Sequence, residues 1–81
     1  KKLIRMLVDT GLDQRTIISG IAEYYDPADL PGKKVCALVN LAIRKIRGIE
    51  SRGMLLLSEN PDGTLHFVEP SAGAENGAQV N

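Results

Sequence analysis

The 81-residue chain is poor in the residue types from which small proteins build covalent, metal-bound or stacked-ring structures. It has one cysteine and one histidine, which excludes an internal disulfide and a zinc cluster built on several such residues. Aromatic residues make up only 4% of the sequence and tryptophan is absent, so we expect no extended aromatic platform for base stacking. No apolar run approaches membrane-spanning length. We therefore expect a cytoplasmic protein that needs neither a cofactor nor a metal.

The composition is that of a globular protein. Hydrophobic residues make up 43% and charged residues 25% of the chain, which argues against disorder. The length allows one small domain, and a domain of this size is often marginally stable without a partner. Because no initiator methionine precedes Lys1, we expect residues 1–81 to be a single domain that is a fragment of a longer chain.

The charges are segregated along the sequence although the formal net charge is zero. All ten basic residues lie in residues 1–52, against six acids, whereas residues 53–81 carry four acids and no base. Within residues 33–52 there are six bases and one acid. Segregation of this kind can place a basic patch on a neutral protein, and such a patch attracts nucleic acid. The alternative is an ordinary solvated charged face.

The first half of the chain contains turn signals between short apolar segments. Residues 3–8 are mostly apolar and end at an Asp-Thr-Gly turn. Residues 14–18 follow, and the last three of them are β-branched, which predicts a β-hairpin. Residues 21–25 fit either a helical turn or a continued strand. In residues 26–32 an aspartate that can cap a helix precedes a proline, and Pro-Gly follows, which predicts one short helical turn.

A second hairpin is predicted in the C-terminal half. The apolar residues 54–57 and the alternating residues 64–68 flank Asn-Pro-Asp-Gly at 60–63, a sequence typical of a tight turn that ends with a left-handed glycine. Beyond Pro70 the residues are small and turn-forming. Several short strands with regularly spaced turn signals predict an all-β protein, either a small barrel or a sandwich.

Residues 35–50 fit two different structures. The apolar residues from Val35 to Ile49 follow helical spacing, with basic residues largely on the opposite side, as in a basic amphipathic helix. The alternative is a buried strand over residues 35–41, followed by a basic loop or a short second strand. Periodicity leaves both open.

No catalytic motif is present. Gly48 and Gly53 are not followed by the residues of a phosphate-binding loop. No nucleophile motif supports a triad of Ser51, His66 and an acid such as Asp62. We expect His66 to face solvent, because strand alternation places its neighbours inward. We expect Cys36, in an apolar run, to be a small buried hydrophobic residue.

Residues 40–54, Asn-Leu-Ala-Ile-Arg-Lys-Ile-Arg-Gly-Ile-Glu-Ser-Arg-Gly-Met, resemble the signature of tRNA-binding domains of the OB-fold type. That signature has the form Asn-Leu-x-Pro-Arg-Lys-x-Arg/Lys-Gly-x-x-Ser-x-Gly-Met. Such domains occur at the C-terminus of many bacterial methionyl-tRNA synthetases and as free-standing proteins, and a related domain occurs in phenylalanyl-tRNA synthetase. The Asn-Leu-Ala and Arg-Lys portions favour the methionyl branch. The resemblance extends over essentially the whole chain.

The resemblance implies a small Greek-key OB-fold barrel with one or two short helical turns. It also implies that the family's first strand is missing from this chain and that residues 70–81 form a closing segment, with a possible contact in a dimer. Ile43 stands where the family has proline, which removes a local signal against helix. We follow the family and predict strand and loop for residues 35–50.

The function implied is non-catalytic binding of tRNA by a domain of methionyl-tRNA synthetase that also supports a homodimer. The cations would contact phosphates, and an amide, a hydroxyl and a thioether beside them would contact bases or ribose 2′-hydroxyls. The alternative is a stand-alone tRNA-binding protein or a chaperone-like dimerisation module. The residues implied in nucleic-acid binding are Lys2, Asn40, Arg44, Lys45, Arg47, Ser51 and Met54.

Overall fold

The computed structural model describes residues 3–80, and in this range almost all regular structure is β-strand. The single helical element in the described range is a 3₁₀ turn at Pro27–Asp29. The all-β class predicted from the turn spacing is therefore confirmed. The strands are β1 Ile4–Asp9, β2 Gln14–Ser19, β3 Ala37–Leu38, β4 Arg44–Ile46, β5 Ile49–Ser51, β6 Met54–Leu55, β7 Leu57–Glu59 and β8 Leu65–Phe67.

The predicted N-terminal hairpin is formed by β1 and β2. They pair antiparallel from Ile4 opposite Ser19 to Asp9 opposite Gln14. The turn is closed by polar side chains, since the Gly11 N–H donates to the Asp9 carboxylate at 2.8 Å. The Asp-Thr-Gly segment therefore ends the strand by satisfying backbone groups locally, as Asx turns do.

Strand β2 lies at the centre of the fold. Ile17 and Ile18 point to opposite faces of the strand, and both are buried. β1 borders one edge of β2, and the other edge accepts the chain after β5, where the Arg52 N–H donates to the Thr16 carbonyl at 2.8 Å. The buried apolar side chains form a small core around this strand: Ile4, Ile17, Ile18, Ile21 and Leu55.

Residues 35–50 form strands and loops, so the helical alternative is wrong. β3 pairs antiparallel with β6, and the adjacent Leu56 N–H donates to the Cys36 carbonyl at 2.9 Å. These backbone groups are therefore bonded to a distant strand and not to the next helical turn. β3 is shorter than the predicted strand over residues 35–41, since its pairing with β6 is limited to Ala37 opposite Leu55 and Leu38 opposite Met54. Cys36 is half-buried, which corrects the prediction of a fully buried thiol.

The second predicted hairpin is formed by β7 and β8, with Leu57 opposite Phe67. Its turn has the expected geometry: the Gly63 N–H donates to the Asn60 carbonyl at 2.8 Å, and Gly63 has φ of 89°. The hairpin begins at Leu57 and not at Met54, because residues 54–55 pair with β3 instead. His66 is exposed, as strand alternation predicted.

The predicted capping turn is also present. The Asp26 carboxylate accepts a hydrogen bond from the Ala28 N–H at 3.0 Å, and Pro27 occupies the first position of the 3₁₀ turn. Residues 21–25 adopt a single turn, in which the Tyr25 N–H donates to the Ile21 carbonyl at 3.1 Å. Both segments connect the N-terminal hairpin to β3.

The strands pair as four separate two-stranded sheets. The closed Greek-key barrel implied by the family resemblance therefore stays a prediction, although the all-β class is observed. In the described residues, no helix has the length and apolar character needed to cross a membrane.

Candidate nucleic-acid interface

Three cationic residues of the predicted site lie on the β4–β5 hairpin. Arg44 and Lys45 belong to β4, and Arg47 with Gly48 forms the two-residue connection to β5. Arg47 and Gly48 have φ of 52° and 80°, the pair of positive values that a type I′ hairpin turn requires. All three cationic side chains are exposed. The structure therefore places all three cations on one hairpin.

The pairing register distributes these cations around the hairpin. Arg44 lies opposite Ser51, and Lys45 lies opposite Glu50, so Arg44 and Lys45 emerge on opposite faces of the ribbon. None of the hairpin cations forms an ion pair with another described residue. The ion pairs found within residues 3–80 are Arg15–Asp13 and Lys33–Glu69.

Ser51 lies at the base of the hairpin and faces the protein interior. It is only 4% exposed. Its hydroxyl accepts a hydrogen bond from the Ile18 N–H at 3.0 Å and donates to the Gly53 carbonyl at 3.2 Å. Both hydrogen bonds are to backbone groups, so the hydroxyl attaches the hairpin to β2. Ser51 thus has a positioning role, which the motif alone did not indicate.

Arg15 connects both ends of the segment that carries the predicted site. Its Nη1 donates to the Val39 carbonyl at 3.0 Å and to the Arg52 carbonyl at 3.2 Å. These carbonyls lie immediately before Asn40 and immediately after Ser51. Arg15 therefore fixes the exposed Asn40 loop relative to the hairpin. Its acceptors are 24 and 37 residues away, so no local sequence signal identified it.

Asp13 completes this connection. Its carboxylate lies 3.3 Å from the Arg15 Nε and accepts a hydrogen bond from the Thr10 hydroxyl at 2.6 Å. The Thr10 hydrogen bond, with a smaller contribution from the Arg15 charge, lowers the pKa of Asp13 below its ordinary value. The carboxylate therefore remains charged and keeps Arg15 oriented at neutral pH.

Met54 lies beyond the hairpin, on β6. It pairs in register with Leu38, and its side chain is 47% exposed. It is thus an exposed apolar group and not a core residue, separated from Ser51 by two residues. Lys2, the remaining residue of the predicted site, lies outside the described residues.

Lys33 and Lys34, the first two of the six basic residues in residues 33–52, have partners within the protein. The Lys33 Nζ lies 2.6 Å from Glu69 and 5.5 Å from the centre of the Phe67 ring, and the hydrogen bond to Glu69 raises the pKa of Lys33. The Lys34 Nζ donates to carbonyls of the C-terminal segment, at Ala72 and Ala74. These lysines therefore hold residues 69–74 against the protein.

The exposed groups of this surface suit a polyanion. Across the part of the chain that the structure describes, no three Asp, Glu, His or Cys side chains gather as a metal-binding group. The hairpin offers guanidinium and ammonium donors, with an amide nearby at Asn40 and a thioether at Met54. These groups can bind phosphate and hydrogen-bond or cover a sugar or base.

Comparison with known families and proteins gives consistent matches. A family model described as "Putative tRNA binding domain" matches residues 1–79. The chain is 55% identical over 80 residues to a methionine–tRNA ligase of Flavobacterium johnsoniae and 52% identical over 82 residues to that of Christiangramia forsetii. The matches cover 99% and 100% of this chain. It spans only 11% and 12% of those relatives.

Two solved structures are similar over nearly the whole chain. A MetRS-related protein from Pyrococcus horikoshii has a TM-score of 0.91 at 44% identity, with 99% of this chain and 73% of that chain covered. The chaperone CsaA from Bacillus anthracis has a TM-score of 0.90 at 26% identity, with 98% of this chain and 76% of that chain covered. These likenesses extend well beyond the sequence motif at residues 40–54.

Proposed function

Because this chain belongs to the tRNA-binding domain family, we propose that it is a non-catalytic domain that binds tRNA. The protein to which it belongs would be a methionine–tRNA ligase in the cytoplasm, and the domain would recruit tRNA to that enzyme. The observation that carries this proposal is the β4–β5 hairpin, on which three exposed cations lie without an ion-pair partner among the described residues.

Phosphate contacts supply most of the affinity in this proposal. Arg44, Lys45 and Arg47 each neutralise a phosphate and release counterions, which makes binding dependent on salt. Arg44 and Arg47 can donate two parallel hydrogen bonds to one phosphate, whereas Lys45 acts as a point charge. Lys45 contributes least, because Glu50 lies opposite it in the hairpin register. With few contacts, binding is weak and largely independent of sequence, with a Kd of about 1 μM.

Groups beside the hairpin favour RNA over DNA. The amide of Asn40 is exposed and can both donate to and accept from a ribose 2′-hydroxyl. Met54 provides an adaptable apolar surface against a sugar or base. Ser51 acts indirectly, by attaching the hairpin to β2 through the Ile18 N–H.

Recruitment follows from covalent attachment. The chain spans little more than a tenth of its methionine–tRNA ligase relatives, so most of such an enzyme lies outside it. A weak binding domain attached to an enzyme raises the effective concentration of its ligand at a distant site. Weak tRNA binding also permits release of the product.

Dimerisation is the second part of the proposal. Two large apolar side chains of the N-terminal hairpin are strongly exposed, Leu7 on β1 at 66% and Leu12 in the turn at 99%. They line a groove together with Val80 of the closing segment 70–81. A second copy that covers this groove would place two RNA-binding hairpins on one particle. Sedimentation velocity tests this part: we expect a dimer that L7S dissociates, and a monomer at all concentrations would contradict it.

Neutralisation of the hairpin tests the tRNA-binding proposal. We expect the double variant R44Q/K45Q to bind tRNA about tenfold more weakly at low salt and to lower the slope of log K against log salt by about 1.5. Fluorescence anisotropy over a salt titration measures both quantities. A far-UV circular dichroism spectrum and a urea midpoint like those of the wild type show that the fold is retained.

K33Q/K34Q is the matched control, because it removes the same formal charge from lysines that contact the C-terminal segment. We expect its salt slope to equal that of the wild type. Equal losses in the two double variants would mean that total charge, and not the hairpin, determines binding, and would reject the site.

The likeness to the chaperone CsaA supports a second candidate, a chaperone-like module that binds unfolded polypeptide. The two functions differ in their dependence on salt, because peptide binding to an apolar groove does not require counterion release. Competition between tRNA and a reduced, unfolded protein separates them. The chaperone-like function would be favoured if the unfolded protein bound independently of salt and if R44Q/K45Q did not change that binding.

A further inference from the structure

A cleft separates strand β1 from the β4–β5 hairpin. Arg5 on β1 pairs across the N-terminal hairpin with Ile18, so both side chains face the same side of that hairpin. The other wall is the face of the β4–β5 hairpin on which Ile46 and Ile49 are paired. The residues that line the cleft include Arg5, Ile18, Ala22, Ile46, Arg47 and Ile49.

The lining of this cleft contains only cationic and apolar residues. Arg5 and Arg47 are exposed, and neither has an ion-pair partner among the described residues. The larger groove, which contains Leu7, Leu12 and Val80, has a different charge distribution. Its lining includes the acidic residues Asp9, Asp13 and Glu75. An anionic ligand with an apolar part therefore fits the smaller cleft better than the larger groove.

The backbone conformation of Arg47 indicates that its side chain has a function in this cleft. Its φ of 52° is in the left-handed region, which asparagine or glycine adopts at lower cost than arginine. Strain of this kind is found where surrounding structure and function maintain it. The apolar neighbour Ile49 remains 38% exposed beside it, although phosphate binding requires no apolar surface.

We infer that this cleft receives an unpaired nucleobase of the bound RNA, with Arg5 and Arg47 against its face and its flanking phosphates. The guanidinium group is planar, stacks on bases and binds phosphate. The side chains of Ile46 and Ile49 cover the part of the base that Arg5 and Arg47 leave exposed to water. A base inside a duplex is already stacked and cannot enter, so the cleft selects unpaired nucleotides. This inference rests on the proposed function and adds Arg5 to the RNA-binding surface.

Two RNAs with identical phosphates test the inference. One is a stem-loop with an unpaired loop, and the other is the same molecule with abasic sugars throughout the loop. We expect the wild-type chain to bind the abasic RNA about tenfold more weakly, within the range for loss of one stacked base. The measurement is the ratio of the two Kd values by fluorescence anisotropy at one low salt concentration.

Three variants assign the effect to the cleft. R5Q should reduce the ratio to about threefold, since one of two guanidinium groups remains. I49S should also reduce the ratio while leaving the salt slope unchanged, because it removes no charge. R52Q is the matched control, because Arg52 is exposed and lies outside the cleft. The ratio of the two Kd values for R52Q should equal that of the wild type.

The failures of the two proposals are distinguishable. A wild-type ratio near one, with salt-dependent binding retained, would overturn the nucleobase cleft and leave the tRNA-binding hairpin in place. Equal ratios for R5Q and R52Q would also overturn the assignment to this cleft. Absence of binding to either RNA at low salt would overturn the proposed function together with this inference.

Discussion

The β1–β2 and β4–β5 hairpins have the same antiparallel topology but opposite distributions of buried surface. In the first, Ile4, Ile17 and Ile18 are buried, and polar side chains close the turn. In the second, Ser51 is the only buried residue, and the turn holds an arginine in a left-handed conformation. The first hairpin stabilises the domain, whereas the second presents cations to solvent. Stability and binding should therefore respond to different substitutions.

The largest expected effect follows from truncation of the first hairpin's core. Ile17 is 0% exposed, so I17A should lower the free energy of unfolding by about 3 kcal/mol through lost burial and a cavity. The matched variant I49A, in the exposed hairpin, should cost less than about 1 kcal/mol. Urea denaturation measures both values. Similar losses at the two positions would remove the contrast between the hairpins.

Ser51 connects the two hairpins, so its hydroxyl contributes to stability. S51A leaves the buried Ile18 N–H without its acceptor and should cost about 2 kcal/mol. The control S58A removes an exposed hydroxyl whose hydrogen bond to the His66 carbonyl is long, at 3.4 Å, and should change stability little. Under conditions where S51A is folded, we expect its salt slope for tRNA to equal that of the wild type. A reduced slope would indicate that Ser51 positions the cations more tightly than one hydrogen bond implies.

Arg15 joins the ends of the binding segment, and lysine cannot reproduce its contacts. R15K should cost about 1 kcal/mol, since a single ammonium group cannot reach two carbonyls and a carboxylate together. Affinity for tRNA should fall while the salt slope stays the same, because Arg15 itself contacts no phosphate in the proposal. The control R52K changes an arginine side chain that makes no hydrogen bond to the described residues.

The contribution of Arg15 depends on pH through Asp13. Because the pKa of Asp13 is lowered in the folded state, its stabilising effect is fully present above the unfolded-state pKa. The effect is lost as pH falls through the lowered folded-state pKa. The Thr10 hydrogen bond is the larger cause of the lowered pKa and is kept in R15K. Only the part of the stability difference between wild type and R15K that comes from the Asp13–Arg15 ion pair should therefore shrink in acid. A difference that is constant with pH would show that the two carbonyl contacts, and not Asp13, determine the role of Arg15.

Local chemistry explains what could be predicted from the sequence. The Asp26 cap and the turn at residues 60–63 depend on neighbouring residues, and both were predicted. The pairing of β3 with β6, the burial of Ser51 and the contacts of Arg15 depend on residues far along the chain. Composition and periodicity carry no information about such partners. The motif contains the hairpin cations and Ser51 alike, and only the folded structure shows that Ser51 faces inward while the cations are exposed.

The turn of the second hairpin offers a substitution that separates stability from binding. R47N should raise the free energy of unfolding by up to about 1 kcal/mol, because asparagine adopts the left-handed conformation more readily than arginine. It should also weaken tRNA binding and lower the salt slope by about 0.7, the value for one contact to a single strand. Urea denaturation and a salt titration measure the two effects. If both stability and affinity fell, the turn would be shaped by contacts of Arg47 within the protein.

The smallest expected effect comes from the acid on the second hairpin. Glu50 lies directly opposite Lys45, where it reduces the local positive potential. Two unit charges about 5 Å apart in water interact by just under 1 kcal/mol. Removal of the Glu50 charge in E50Q should therefore tighten tRNA binding by about threefold at low salt. The gain should disappear at high salt, where exposed charges are screened. E59Q is the matched control, because Glu59 is exposed on β7, away from the hairpin. An equal gain in E59Q would show that binding follows the net charge of the whole domain. The β4–β5 hairpin would then have no special role in RNA binding.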